Sequence, residues 1–68
     1  MMNEVSNNIA FYRAKHKMSQ QDLADAIGVS RKTVSTVETG RFVPSVIIAL
    51  KMATYFEISV ETLFELTD

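Results

Sequence analysis

The most restrictive feature of this sequence is a three-residue break, Gly28-Val29-Ser30, between two segments whose apolar residues recur with helical spacing. Glycine readily adopts the left-handed backbone conformation that ends a helix, and serine is a favoured residue at the start of the next one. A connection this short requires the two helices to pack against each other. The small residue Ala24 permits a close crossing, so the sequence predicts one closely packed pair of helices.

Helical periodicity and helix-start signals predict three further helices around this pair. The predicted helices are Asn7–Lys17, Gln20–Ile27, Arg31–Thr39, Val46–Phe56 and Val60–Leu66, and the predicted serine N-caps are Ser19, Ser30, Ser45 and Ser59. No segment shows the alternation of a strand, although Met1–Val5 or Leu66–Asp68 is compatible with a short terminal strand. The expected fold class is therefore all-α, a compact five-helix domain.

Each predicted helix has an apolar side, and these sides define the expected core. The residues on the inner sides are Ile9, Tyr12, Arg13 and His16, then Leu23, Ala24 and Ile27, then Val34, Val37 and Glu38, and finally Val46, Ala49, Leu50, Ala53 and Phe56. A second apolar stripe on the fourth helix contains Ile48, Met52 and Tyr55, which predicts that this helix is central. Arg13 on an inward stripe requires a partner, because an unpaired buried charge is very costly.

Length and composition restrict both the class of protein and the kind of site. A chain of 68 residues with 47% hydrophobic and 22% charged residues is expected to form a single globular domain over residues 1–68, with a core spanning about residues 9–64. The chain has no cysteine and one histidine, so no metal site, cofactor or catalytic set is expected, and His16 is interpreted as structural. The protein is therefore not expected to be an enzyme.

The same considerations predict where the protein acts. The N-terminal residues lack the basic start and apolar middle of a signal peptide, and no apolar run is long enough to span a bilayer. A cytoplasmic location without a membrane partner is therefore expected. A single small domain leaves no room for a ligand-sensing domain, so no small-molecule effector is expected either.

The net charge of −1 conceals an uneven distribution of charge along the chain. Between residues 13 and 41 there are six Lys or Arg residues and three acids, whereas from residue 42 onward there is one Lys and four acids. This asymmetry is typical of a protein with one surface for a polyanion and another turned away from it. An ordinary mixed surface explains the distribution equally well, so charge alone does not decide between the two.

The polar edge of the predicted third helix has the chemistry that reads DNA bases. Arg31 and Lys32 can donate hydrogen bonds to guanine O6 and N7 in the major groove. The hydroxyls of Thr33, Ser35 and Thr36 can donate or accept, and threonine methyl groups can contact thymine methyl groups. The spacing of the whole helical pair favours this interpretation over a merely solvated surface.

A second group of residues suits the DNA backbone. Gln20 and the free N–H groups at the start of the second helix are suited to a phosphate. Arg41 follows the third helix and Lys17 precedes the second, so both are candidate backbone contacts. For Lys17 a solvated surface position is an equally good interpretation.

The segment MSQQDLADAIGVSRKTVSTVETGRFVPS resembles the helix-turn-helix signature of the phage repressor and Cro-like family, also called the Xre family. The later segment ALKMATYFEISVETLF is similar to that family's fourth and fifth helices. The similarity covers about Ile9 to Phe64, which is nearly the whole chain. A helix-turn-helix pattern alone is a moderate signal, whereas this order of motif residues within five helices is a strong one.

The resemblance implies a function and an assembly. It implies a sequence-specific, double-stranded DNA-binding transcriptional regulator, in most cases a repressor. Such a protein binds a palindromic operator as a homodimer, with the third helix in the major groove. Symmetric members of the family dimerise largely through the region around the fifth helix.

The resemblance also implies roles for individual residues. Gln20 matches a phosphate-binding glutamine, and Arg41 matches a backbone-contacting basic residue. Arg13 and Glu38 match a structural ion pair that ties the first helix to the third, which would supply the partner that Arg13 requires. The base-reading positions are Arg31, Lys32 and Thr36, with supporting contacts from Ser30, Thr33 and Ser35.

Some apolar residues depart from the family pattern and keep a second function open. Phe11 and Ile47 occupy positions that are commonly polar, and together with Ile48, Met52 and Tyr55 they belong either to the core or to a subunit interface. They are also compatible with an antitoxin-like or scaffold protein-interaction module that uses the same fold without reading DNA. Such a module has no need for a basic edge on the third helix.

Overall fold

The computed structural model describes residues 5–67, which form five helices and a two-stranded ribbon. In chain order the elements are β1 (Val5–Asn7), α1 (Ile9–Lys15), α2 (Gln20–Ile27), α3 (Arg31–Glu38), α4 (Val46–Phe56), α5 (Val60–Leu63) and β2 (Phe64–Leu66). The predicted fold class is confirmed: the domain is mainly helical, and α2 packs against both α3 and α4.

The four predicted serine caps are confirmed, and each explains why a helix begins where it does. Each serine Oγ accepts a hydrogen bond from the backbone N–H three residues later, and so satisfies one of the donors that a helix leaves free at its start. These bonds are Ser19 Oγ with Asp22 N at 2.9 Å, and Ser30 Oγ with Thr33 N, Ser45 Oγ with Ile48 N and Ser59 Oγ with Thr62 N, each at 3.1 Å.

The turn between α2 and α3 has the geometry that its sequence predicts. Gly28 has φ +76° in the left-handed region, and its N–H donates to the carbonyl of Ala24 at 2.9 Å. The N–H of Val29 donates to the same carbonyl at 3.0 Å. Ala24 is fully buried, consistent with a close approach of the two helices at this position. The turn therefore fixes α3 against α2 with three intervening residues.

The two strands pair antiparallel and bring the ends of the described chain together. Val5 lies opposite Leu66, Ser6 opposite Glu65 and Asn7 opposite Phe64. A short terminal strand was compatible with the sequence at Met1–Val5 or Leu66–Asp68, and the observed strands overlap these segments at Val5 and Leu66. Met1–Glu4 and Asp68 lie outside the described residues.

The ribbon corrects two predicted helix boundaries. The fifth helix was predicted to run to Leu66, but it ends at Leu63 because Phe64–Leu66 pairs with β1. The first helix was predicted over Asn7–Lys17, but it begins only after Asn7 has completed β1.

The first helix also ends two residues earlier than predicted. Lys17 adopts a positive φ of 57°, and the N–H of Met18 turns back to the carbonyl of Arg13 at 2.9 Å. His16 lies on the same stripe as Ile9 but was interpreted as a surface or partly buried residue, and it is exposed, with its ring centroid 5.3 Å from that of Phe56. For the third helix the difference is one residue, since Thr39 is its C-cap.

The core lies between α4 and the helix pair, and it corrects the predicted inner side of the fourth helix. The buried residues of α4 are Ala49, Met52, Ala53 and Phe56. Val46 and Leu50 were predicted inside but are 74% and 51% exposed. The inner side therefore consists of Met52 and Phe56 together with two alanines, and Val46 and Leu50 lie at the surface. The fourth helix was predicted to be central, and it packs against both α2 and α5.

Among residues 5–67 no helix combines the length and the apolar character that a bilayer crossing requires.

Candidate nucleic-acid interface

Helix α3 has one buried edge and one accessible edge, and this division defines the candidate site. Val34 is fully buried and Val37 nearly so, which fixes the rotation of the helix about its axis. Ile27 and Leu23 of α2 belong to the same core. With its apolar edge held in this way, α3 must present its remaining side chains at the surface.

The basic side chains at this surface are free to bind a ligand. Arg31 and Lys32 in the first turn of α3, and Arg41 three residues beyond its end, are exposed. Within residues 5–67 their side chains make no hydrogen bond or ion pair. These are three unneutralised cations in one helix and the loop after it, and exposed cations of this kind attract polyanions.

The hydroxyl groups on α3 are less free than the sequence indicates. Thr36 Oγ1 donates to the carbonyl of Lys32 at 2.9 Å, and Ser30 Oγ caps the helix and lies 2.9 Å from Thr33 Oγ1. Thr33, Ser35 and Thr36 are half-buried, whereas Ser35 and Thr36 were predicted to point outward. Their hydroxyl oxygens can still accept hydrogen bonds, and the threonine methyl groups can still make apolar contacts.

The start of α2 offers a smaller donor set than predicted. Ser19 and Asp22 form a reciprocal capping box, in which the N–H of Ser19 donates to the Asp22 carboxylate at 3.0 Å and the N–H of Asp22 donates to Ser19 Oγ. This box occupies two N–H groups and places a negative charge in the first turn of α2. Gln20 is half-buried, and its side-chain amide makes no hydrogen bond within the described chain. The amide of Gln20 is therefore the better phosphate candidate here.

Arg13 and Glu38 form a bidentate ion pair between α1 and the end of α3. Arg13 Nη2 lies 2.8 Å from Glu38 Oε2, and Nε lies 3.0 Å from Oε1. Nη1 also donates to the carbonyl of Met18 at 2.8 Å. The hydrogen bond to Glu38 raises the pKa of Arg13, against the opposing effect of burial. The guanidinium therefore stays charged at every physiological pH and holds the C-terminal end of α3.

A groove beside α3 contains two residues that the sequence did not single out. It encloses about 260 Å³ between the outer side of α3, the following loop and the start of α4. Phe42 and Val43 line it opposite Lys32 and Thr36, and are 65% and 70% exposed. In the sequence, the signal that could have identified them is a pair of apolar residues directly after an arginine in a predicted loop. They would meet any ligand bound along α3.

Further apolar side chains are exposed on α4 and α1, outside the residues that line this groove. Leu50 and Tyr55 line a second groove of about 430 Å³ with Ala26 and Ile27 of α2. Phe11 and Ile47, the residues that depart from the family pattern, are 61% and 66% exposed. Ile48 is half-buried against the core and Met52 is fully buried, so those two belong to the interior. The sequence had left core and interface open for all five residues.

Lys17, the other predicted backbone contact, is exposed at the positive-φ turn between α1 and α2. Nothing within residues 5–67 groups three or more His, Cys, Asp or Glu side chains in a way that could hold a metal ion.

Comparison with known proteins shows the family of the chain. A family model described as helix-turn-helix matches residues 9–63. An uncharacterized HTH-type transcriptional regulator of Methanocaldococcus jannaschii is 40% identical over 60 residues, which cover 88% of this chain and 91% of that protein.

Two solved structures have the same fold with appreciable sequence identity. The restriction-modification controller protein C.AhdI from Aeromonas hydrophila has a TM-score of 0.74 and 31% identity, over 81% of this chain and 83% of that one. The N-terminal DNA binding domain of SinR from Bacillus subtilis has a TM-score of 0.75 and 28% identity, over 81% of each chain. These similarities confirm the family resemblance that the sequence motif indicates.

Proposed function

Because the chain belongs to the helix-turn-helix family of DNA-binding transcriptional regulators, we propose that it binds a specific double-stranded DNA sequence with α3 in the major groove. The observation that carries this proposal is the division of α3. Its apolar edge is buried, and its other edge bears Arg31 and Lys32 without partners in the described chain. An α-helix fits the major groove of B-DNA, where arginine and lysine distinguish guanine from other bases.

The proposed interface divides into residues that read bases and residues that hold the backbone. Arg31 and Lys32 read bases from the first turn of α3, and Thr36 adds an acceptor oxygen and a methyl group. Gln20 and Arg41 contact phosphates on either side and fix the orientation of α3. Ser30, Thr33 and Ser35 make supporting contacts, with Ser30 acting mainly through its cap on the helix.

We propose that the protein acts as a homodimer on a palindromic operator. A single α3 of eight residues contacts only a few base pairs, whereas two copies related by a two-fold axis read half-sites about 34 Å apart. The exposed apolar side chains on α4 and α1 support a protein contact of this kind. A dimer that occupies DNA blocks access of other proteins to that DNA, so the proposed effect on transcription is repression. The proposed location is the cytoplasm, and no small-molecule effector is proposed.

A second candidate function is a protein-interaction module with the same fold. The observation that favours it is the exposure of the apolar side chains Phe11, Ile47, Leu50 and Tyr55. A partner protein could bury such side chains at an interface. These side chains do not include those of the basic edge of α3. The two functions therefore predict binding through different sets of side chains.

The deciding experiment is selection from a pool of random double-stranded DNA, followed by a mobility-shift titration. The proposal predicts enrichment of one palindromic sequence and a complex of two chains per duplex. Enrichment of a non-palindromic site by a monomer would retain DNA reading but remove the dimer. No enrichment at low salt would contradict sequence-specific DNA binding and favour the interaction module.

The sign of regulation requires a separate test in cells. The selected sequence, placed over a promoter, should reduce reporter expression when the protein is present, and a scrambled sequence should not. A rise in expression from the selected sequence would show activation instead of repression.

A further inference from the structure

Asn7, the last residue of β1, connects the terminal ribbon to the end of α3. Its side-chain Nδ2 donates to the carbonyl of Val37 at 3.1 Å and to the carbonyl of Glu38 at 3.2 Å. Its Oδ1 accepts from the N–H of Ile9 at 3.0 Å, in the first turn of α1. Both amide hydrogens and the amide oxygen are therefore engaged, and the side chain is half-buried. The sequence indicated no role for this residue.

The contact matters because a helix leaves its last carbonyl groups without intrahelical partners. The loop after α3 satisfies some of them: Gly40 N donates to Val37 O at 3.1 Å, and Arg41 N donates to Thr36 O at 2.9 Å. Within residues 5–67, the carbonyl of Glu38 accepts from Asn7 and from no other group. Asn7 thus holds the final turn of α3 from outside the helix-turn-helix unit.

The position of Asn7 is itself fixed on two sides. Asn7 lies opposite Phe64 in the ribbon, and the N–H of the next residue, Asn8, donates to the carbonyl of Leu63 at 2.9 Å. Asn7 therefore joins three parts of the molecule: the ribbon, the start of α1 and the end of α3. The link adds a backbone restraint to the ion pair of Arg13, which holds the Glu38 side chain.

We propose that Asn7 is a positioning residue for DNA recognition, which fixes the direction of α3 and so the placement of Arg31 and Lys32. This inference rests on the proposed function. Helix α3 has eight residues, a length of about 12 Å, so a tilt of about 5° at its C-terminal end displaces its first turn by about 1 Å. A displacement of that size takes a good hydrogen bond to a base beyond its normal range of lengths.

The test compares Asn7→Asp with Asn8→Asp in the full-length chain. Asn7→Asp keeps the oxygen that accepts from Ile9 N but removes the donors to α3 and places a negative charge beside two carbonyls. Asn8→Asp adds the same charge one residue away and removes one donor, from Nδ2 to the carbonyl of Thr62, without touching α3. Both variants introduce an acid near the start of α1, where a negative charge is favourable.

The first readout is the ratio of affinities for the selected DNA sequence and for a scrambled duplex, measured at one salt concentration. Added negative charge weakens both affinities alike, so the ratio isolates the geometry of recognition. We expect Asn7→Asp to lower this ratio by about three- to tenfold, because the variant loses one or two hydrogen bonds that restrain α3. Asn8→Asp should leave the ratio within about twofold of the wild-type value. Equal ratios for the two variants would overturn the proposal.

The second readout requires no DNA and separates this inference from the proposed function. Amide hydrogen exchange at Thr39, Gly40 and Arg41 reports opening of the last turn of α3 and its exit. Exchange there should be faster in Asn7→Asp than in Asn8→Asp, while the buried amides of α2 stay equally protected in both. If wild type selects no DNA sequence, the proposed function fails, and equal exchange in the two variants would independently show that Asn7 does not hold α3.

A third variant, Asn7→Ala, removes the acceptor as well as the donors and adds no charge. It should lower the affinity ratio at least as far as Asn7→Asp does, and it should also speed exchange at the start of α1. An Asn7→Ala ratio equal to wild type would attribute the aspartate effect to charge and overturn the positioning role.

Discussion

The two ends of α3 differ in how many contacts hold them. At the C-terminal end, Glu38 is bound by Arg13 through two hydrogen bonds, and the carbonyls of Val37 and Glu38 accept from Asn7. At the N-terminal end, Ser30 caps the helix, but within the described residues the side chains of Arg31 and Lys32 have no hydrogen-bond or ion-pair partner.

This difference separates stability from binding. Contacts at the C-terminal end help to stabilise α3 and to fix its direction, whereas the exposed cations at the N-terminal end contribute little to folding because their side chains have no intramolecular partner. An interface built in this way can vary its base-reading residues without loss of the fold. Substitutions of Glu38 and of Lys32 should therefore fall into two classes, whereas Ser30 contributes to both stability and binding, and the following predictions compare the two effects.

The largest effect is expected at the ion pair. Glu38→Ala leaves the Arg13 guanidinium without its carboxylate partner in a site where the two side chains are 18% and 13% exposed. We expect the free energy of unfolding to fall by roughly 2–4 kcal/mol, toward the range found for buried pairs that lose one partner. Urea denaturation followed by circular dichroism measures this change. A loss below about 0.5 kcal/mol, the usual range for a surface substitution, would show that the pair is not structural.

Substitution of Lys32 should have the opposite pattern. Lys32→Ala should leave the urea midpoint nearly unchanged, and it should weaken binding to the selected DNA by about 1–3 kcal/mol with a broader base preference. Binding titrations against the selected duplex and its single-base variants measure both effects. An equal loss on every sequence would identify Lys32 as a phosphate contact, and an intact preference with reduced stability would contradict the division of α3.

Ser30 allows a matched comparison with Ser59. Ser30 Oγ contacts Thr33 N at 3.1 Å and Thr33 Oγ1 at 2.9 Å, and Ser59 Oγ contacts Thr62 N at 3.1 Å and Thr62 Oγ1 at 2.8 Å. Serine-to-alanine changes at both positions should each cost about 1 kcal/mol of stability, since each removes an N-cap. Thermal unfolding compares the two variants. Only the Ser30 variant should weaken DNA binding, and equal DNA affinities would remove Ser30 from the interface.

The smallest effect is expected at Arg41, beyond the end of α3. Arg41→Ala should leave stability and base preference unchanged and reduce the salt dependence of binding by about one unit in the slope of log K against log salt. Affinities measured at several salt concentrations give this slope for wild type and variant. An unchanged slope would show that Arg41 does not neutralise a phosphate.

Local signals predicted the helical pair and the caps well. Gly28 and four serines act on backbone groups no more than four residues away, so their roles depend little on the rest of the fold. The apolar side of α4 was predicted less well. Val46 and Leu50 fit the helical period, but Met52 occupies the core because the rotation of α4 depends on its packing against α2 and α5, which helical periodicity does not specify.

Contacts between distant parts of the chain were the hardest to predict from the residues alone. Asn7 and Val37 are 30 positions apart, and nothing about an asparagine near the N-terminus indicates which carbonyls it will meet. A short terminal strand was compatible with the sequence, but its exact position and pairing were not predicted, since three-residue strands are too short to show alternation. The residue types in the candidate interface were predictable, but not that the hydroxyls of Thr33 and Thr36 are already engaged.

The most direct test of the account is a titration of the isotopically labelled protein with its selected DNA duplex, followed by amide chemical shifts. The account predicts the largest changes at residues 30–36, Gln20 and Arg41, with smaller changes along the exposed side of α4. The account would be contradicted if residues 30–36 were unaffected by DNA and the largest changes occurred at Phe11, Ile47, Leu50 and Tyr55. That result would assign recognition to the exposed apolar side chains of α1 and α4.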